Sequence, residues 1–217
     1  EMQRSLVGSE MCIRDRAEMC GNGARCFGNF AAALLHHDKT APLPFETMAG
    51  VVTATFEKDG NVTVNLTNPH SMQLFVLNAD PTVGADVHFL NTGVPHAVAF
   101  LDKLEGLDIS RLGAYLRYHE AFSPKGTNAN FARILSPGHI AIRTYERGVE
   151  DETLACGTGM TACALLHAVL TDAPSPIQVD VAGGDTLKVG FQRTGDRFTD
   201  VTLTGPADLV FTGDIQI

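Results

Sequence analysis

The chain has 217 residues, 44% of them hydrophobic and 19% charged, a balance that excludes a disordered chain. Sixteen Lys+Arg against 25 Asp+Glu give a net charge of −9 without a basic cluster, which argues against a nucleic-acid partner. No apolar run approaches the ~18 residues of a membrane span, so the composition points to a soluble protein with no membrane partner.

Residues 1–16, EMQRSLVGSEMCIRDR, lack the basic start and long apolar core of a signal peptide, and they have no helix or strand period. The stretch SLVGSEMCIRDR resembles a translated sequencing adapter, so the native sequence is expected to begin near Ala17. Residues 21–37, GNGARCFGNFAAALLHH, read as a helix that is apolar on most sides and therefore buried, ended by Pro42 and Pro44. Short alternating runs follow at 51–57, 61–66 and 72–77, with Lys58-Asp59-Gly60 as a hairpin signal between the first two. Residues 91–101 read as a turn feeding a buried strand, and 109–119 as a short helix with Ser110 near its start. Strands are expected at 128–135 and 139–145 around the turn Ser136-Pro137-Gly138. A second apolar helix covers 156–170, and from Ile177 onward the chain returns to strands, the last being ADLVFTGDI. The pattern is α+β with a mixed, largely antiparallel sheet rather than a doubly wound parallel one.

The five cysteines are odd in number and the chain is not small, which speaks against a disulfide framework. No C-x₂-C or H-x₃-H spacing suggests a metal site. A reducing, cytoplasmic setting fits this usage best. Two of the cysteines open the two helices in the same way: Cys20-Gly21-Asn22-Gly23 and Cys156-Gly157-Thr158-Gly159. A helix N-terminus offers unpaired N–H groups and positive potential, so it binds carboxylate and favours a thiolate. Glycines let a ligand approach the backbone closely. Two such ends facing each other would set one thiol on each side of a bound carboxylate compound. Inverting a carbon that bears a hydrogen needs that arrangement, a base on one face and an acid on the other. Cys26 and Cys163 lie inside the helices and read as core. Taken singly, a cysteine before glycine is more often a small buried residue, and a Glu-Arg pair more often a solvated one.

At these motifs the sequence closely resembles the diaminopimelate epimerase family, from Ala17 to the C-terminus. The matching segments are AEMCGNGARC (17–26), TGVPHAV (92–98), GTNANF (126–131), YERGVEDETLACGTGMTA (145–162), GG-x-x-L-x-V (183–189) and TGPADLVFTG (204–213). The resemblance implies two pseudo-symmetric domains, each a curved, mostly antiparallel mixed sheet around a central helix. The first would be 17–68 with a returning strand at 207–217, and the second 69–206. It implies cofactor-independent, metal-free interconversion of LL- and meso-2,6-diaminopimelate, in lysine and peptidoglycan-precursor biosynthesis, and a homodimer is compatible with it.

Residue by residue, Cys20 and Cys156 match the catalytic cysteines. Gly21, Asn22, Gly157 and Thr158 match the amides that hold substrate carboxylates. Asn128 matches a substrate-binding asparagine, and Glu146 and Arg147 match the pair that contacts the distal end of the substrate. His96, with Glu146, matches residues that tune the cysteines. Arg25 reads as structural, suited to tying down a carboxylate or backbone carbonyls. Two departures stand out. Val94 occupies a frequent Asn position and cannot hydrogen-bond substrate through its side chain. The family's G-x-G-N-D-F and N-x-D-G-S blocks are also missing ahead of Cys20. Proline-type racemases share the two cysteines but typically carry His where Asn22 stands. A dithiol redox protein and a non-catalytic amino-acid-binding protein are the readings from other classes.

Overall fold

The computed structural model describes residues 20–214, together with the backbone of a short antiparallel pair, β1 (Glu10–Met11) and β2 (Asp15–Arg16). The rest of the expected leader at 1–16, and residues 17–19 and 215–217, lie outside the described residues. The first half of the chain forms α1 (Gly21–Leu34), β3 (Leu43–Thr47), β4 (Gly50–Phe56), β5 (Val62–Asn65), β6 (His70–Asp80), β7 (Ala85–Asn91) and β8 (Pro95–Phe100). The second half adds α2 (Ile109–Tyr118), β9 (Asn128–Ser136), β10 (His139–Glu146), β11 (Asp151–Thr153), α3 (Gly157–Thr171), β12 (Ile177–Asp180), β13 (Thr186–Thr194) and β14 (Arg197–Gly205).

Among the described residues, the strands from β3 onward join in the order β3-β4-β5-β14-β13-β12-β10-β9-β8-β7-β6, with β11 beside β10. Most neighbours are antiparallel; β8 with β9 and β10 with β12 run parallel. This is the mixed α+β class the sequence predicts. The hairpin around Lys58-Asp59-Gly60 forms as expected, pairing Phe56 with Val62. Two strands go beyond the sequence reading. β3 contains Pro44, which a sheet tolerates because β3 is an edge strand with no neighbour on one side. β7 has no clean alternation in ADVHFLN, since it packs on both faces.

Alternation along β8, β9 and β10 sorts side chains onto two faces. Val98, Ala132, Ile140 and Ile142 join the core around α3, while Ala97, Ala99, Ala129, Phe131 and Tyr145 join a second core under α2. Helix α2 is capped by Asp108, whose carboxylate accepts from the Arg111 amide. Helix α3 is apolar all round, and residues 157–168 are buried without exception, as a central helix requires. None of the helices among the described residues is long and apolar enough to cross a membrane.

Helix α1 departs from the expectation of burial. Ala24, Gly28 and Ala32 pack inward, but Phe27, Phe30 and Leu34 are 50%, 59% and 66% exposed. Cys26, expected in the core, is exposed on the same helix, whereas Cys163 is fully buried. The reason is geometric: β3, β4 and β5 pack against α1 from one side only. A second correction concerns the expected returning strand, for residues 207–214 carry no strand. Carbonyls at its start are taken by helix side chains instead, Pro206 by Arg25 Nε and Ala207 by Asn29 Nδ2. Beyond them Leu209, Val210 and Phe211 are exposed.

Candidate active site

Helices α1 and α3 begin against each other. A Cβ built on Gly157 would stand 3.2 Å from the Gly21 Cα and 3.4 Å from the Asn22 nitrogen. One built on Gly21 would stand 2.9 Å from Leu203 Cδ2 and 3.7 Å from the Gly157 Cα. Glycine at both positions is what lets the two backbones approach so closely. Asn22 stitches the ends together, donating from Nδ2 to the Ala155 carbonyl at 3.1 Å, while its Oδ1 accepts from Arg25 Nη1 at 3.1 Å. With its second bond to Pro206, Arg25 has the tying role read from the sequence.

Cys20 and Cys156 are the N-caps of these helices and have nearly the same backbone: φ −135, ψ 101 for Cys20 and φ −117, ψ 108 for Cys156. Each carbonyl accepts the first bond of its helix, from Ala24 at 2.9 Å and from Met160 at 2.8 Å. Cys20 Sγ also accepts from the Gly23 amide at 3.3 Å. Cys156 Sγ lies 3.6 Å from the Thr158 hydroxyl and is nearly fully buried. The local match of the two motifs in sequence is therefore a match in three dimensions, and both thiols are free.

The electrostatics correct one expectation. Helix N-termini favour thiolates, yet both cysteines are pushed up from the ordinary thiol range. Burial is the main cause for each. At Cys20 the Gly23 amide opposes burial, Glu146 adds to it, and the Asn22 amide and Arg25 pull down. At Cys156 burial and then Glu146 raise the pKa to about 12, against the Thr158 hydroxyl and the Gly159 amide. Loss of water outweighs the helix end. Because the thiolate fraction grows about tenfold per pH unit below the pKa, alkylation of Cys156 is expected to keep accelerating through pH 10. Peptide mapping after iodoacetamide pulses measures this; a plateau below pH 8 would contradict the burial argument.

Glu146 acts on both sulfurs, and its own carboxyl is held high by burial, with the Thr153 hydroxyl opposing. Beside it, the Arg147 amide donates to Asn128 Oδ1 at 2.7 Å, and Asn128 Nδ2 donates to the Pro95 carbonyl at 3.0 Å. Asn128 thus has one amide hydrogen left for a ligand. Arg147 turns toward an open cavity of about 320 Å³ that Gln73, Asn91, Pro95 and Lys125 also line, and that neither cysteine reaches. His96 is fully buried on β8, its Nε2 2.9 Å from the Thr158 hydroxyl. Burial and then Arg147 lower its pKa to about 3, so the ring is neutral. Val94 sits in the turn between β7 and β8, its carbonyl accepting from Thr92.

The predicted residues therefore fall into two groups: Cys20, Gly21, Asn22, Cys156, Gly157, Thr158, His96 and Glu146 about the helix ends, with Asn128 paired in register with His96, and Arg147 toward the cavity. Sequence reasoning missed Asn130 and Thr144, which lie behind His96. Their signal was parity alone, since Asn130 shares a strand face with Asn128. No group of metal-ligating residues is found among the described residues.

The family model described as diaminopimelate epimerase matches residues 88–210. The diaminopimelate epimerase of Hydrogenobaculum sp. (strain Y04AAS1) is 43% identical over 91% of this chain and 70% of its own length. That of Aquifex aeolicus is 42% identical over 92% of this chain and 70% of its own length. Among solved structures, a probable proline racemase from Agrobacterium radiobacter K84 is similar with a TM-score of 0.61 at 20% identity, over 84% of this chain and 63% of that one. A PhzF-family phenazine biosynthesis protein of Bacillus anthracis is similar with a TM-score of 0.63 at 13% identity, over 88% and 74%. These structural likenesses bear on the fold alone.

Proposed function

The chain belongs to the diaminopimelate epimerase family, and on that premise we propose that its paired helix ends perform the interconversion of LL- and meso-2,6-diaminopimelate with two cysteines. The observation that carries the reading is the apposition of two cysteine-capped N-termini, with Gly157 and Gly21 in near contact. An α-carboxylate bridging the ends would accept from amides of Gly21, Asn22, Gly157 and Thr158. One sulfur, as thiolate, takes the proton from the α-carbon: the C–H bond breaks and an S–H bond forms. The other thiol gives its proton to the opposite face, so that S–H bond breaks and a new C–H bond forms. Carbanion charge developing between the two steps is held by the same amides in a site poor in water.

Burial disfavours charge on either sulfur, which suits a pair that shares a single proton, carries one negative charge between its two sulfurs and exchanges roles on each turnover. The distal ammonium and carboxylate of the substrate would lie toward Glu146, Arg147 and Asn128. The domain reading, 17–68 against 69–206 with substrate between them, belongs to this proposal, as does a cytoplasmic setting for an enzyme with free thiols.

The experiment is a substrate panel. The chain is incubated with LL-diaminopimelate, meso-diaminopimelate, L-proline and trans-4-hydroxy-L-proline, and the stereoisomers are separated by chiral chromatography. Interconversion of the diaminopimelates alone is expected. Conversion of proline or hydroxyproline in their place would overturn the substrate assignment, and conversion of none would overturn the proposed activity.

A further inference from the structure

Behind Thr158 the hydrogen bonds form a directed chain. Asn130, fully buried on β9, sits 3.0 Å from the Ala97 carbonyl through Nδ2 and accepts from the Thr144 hydroxyl at Oδ1, also at 3.0 Å. A carbonyl can only accept, so the Asn130 atom beside Ala97 has to be the NH₂. The second hydrogen of that NH₂ points at His96 Nδ1, 3.1 Å away. Nδ1 must therefore be bare, and the single proton of the neutral ring sits on Nε2. Nε2–H donates to Thr158 Oγ1 at 2.9 Å, which leaves the Thr158 hydroxyl proton uncommitted, with Cys156 Sγ 3.6 Å away. In the other tautomer the hydroxyl proton would be spent on the ring.

We propose that Asn130 is a positioning residue that locks His96 in its Nε2–H form and so aims the Thr158 hydroxyl at the Cys156 sulfur. The lock is built from three adjacent strands. β8 and β9 pair His96 with Asn128 and Val98 with Asn130, and β10 pairs Thr144 with Asn130. Thr92 Oγ1 holds the far end by donating to the Thr158 carbonyl at 2.9 Å. Gly159 is small for the same reason, because a Cβ there would run into Asn130 Oδ1 and lie 3.3 Å from Cys156 Sγ. Of the other ionisable groups, Glu146 and Cys20 bear on the Cys156 sulfur and Arg147 on His96. None of these three can set the polarity of the chain, since none bonds His96 or Thr158 through its side chain.

The inference concerns the site of the proposed function and rests on that reading of Cys156, but its test needs no turnover. Long-range ¹H–¹⁵N spectra of ¹⁵N-histidine protein, assigned with His96→Gln, should give His96 an unprotonated Nδ1. A protonated Nδ1 in the parent chain overturns the inference. Thr158→Val and Asn130→Leu should each slow alkylation of Cys156 at pH 9 by about tenfold, as expected for a lost hydrogen bond to a charged sulfur. Asn130→Leu combined with Thr158→Val should be no slower than Thr158→Val alone, because both act through one hydroxyl. Additive losses would mean that Asn130 acts only on stability and would overturn the chain. If Asn130→Leu does not fold, the parent tautomer and Thr158→Val decide, and an unchanged Cys156 rate in Thr158→Val overturns it. Failure of the substrate panel with an intact tautomer and intact coupling would count against the epimerase reading and leave this inference standing.

Discussion

Cys20→Ala and Cys156→Ala are each expected to lower interconversion of the diaminopimelate isomers by at least about 10²–10⁴-fold, the usual contribution of one positioned acid or base. The two losses should be similar, because inversion needs both faces served. The helix ends treat the residues alike: each is an N-cap with extended backbone, Cys156 buried and Cys20 partly so, and burial and Glu146 raise the pKa of both. Serine is not a substitute, since its hydroxyl is a far weaker acid than even a thiol raised by burial. Cys163→Ala is the control. That thiol is fully buried in α3 but does not cap the helix, so its loss should change stability rather than the reaction. Chiral chromatography of initial rates, with circular dichroism to verify folding, separates the cases. Retention of more than about a tenth of the activity by either alanine variant would contradict an obligatory pair.

The second large effect contrasts two helices that look alike in sequence. Leu165→Ala should cost about 2–5 kcal/mol, the range for emptying a filled core position. Leu165 is fully buried on a helix that contacts the sheet on many sides. Phe30→Ala should change stability by no more than about 0.5 kcal/mol, because the ring is 59% exposed on α1 and little contact is lost. Urea unfolding at constant m-value measures both. Equal losses would mean that the outer face of α1 is covered in solution.

That contrast marks where sequence stops being informative. GNGARCFGNFAAALLHH and CGTGMTACALLHAVL are both apolar, so each reads as a central helix. Burial depends on how many strands wrap the helix, and α1 has strands on one side while α3 has them on most. The shared C-G-x-G opening was legible because a cap, a glycine and a thiol are local features. Its electrostatic sign was only half legible: the helix end favours the thiolate, but the larger cost of burial is a tertiary quantity. Hairpin strands around Lys58-Asp59-Gly60 and Ser136-Pro137-Gly138 followed from turn chemistry. The returning strand did not, because the apolar run at 209–211 has the composition of a strand while the carbonyls of 206 and 207 bond to α1 side chains. Asn130 was invisible for a related reason. Its partners are His96, Ala97 and Thr144, and only the register of β8, β9 and β10 brings them together.

The central claim is two bases on opposite faces of one carbon. The most direct measurement follows solvent deuterium at early times, with LL-diaminopimelate as substrate in deuterated water and mass spectrometry of the separated isomers. The account predicts deuterium at the inverted α-carbon of the meso product from the first turnover, because the donating thiol exchanges with solvent, while recovered LL substrate stays unlabelled. Early label in the recovered LL substrate at the same rate as in product, or product that retains the substrate hydrogen, would mean that one group serves both faces and would contradict it.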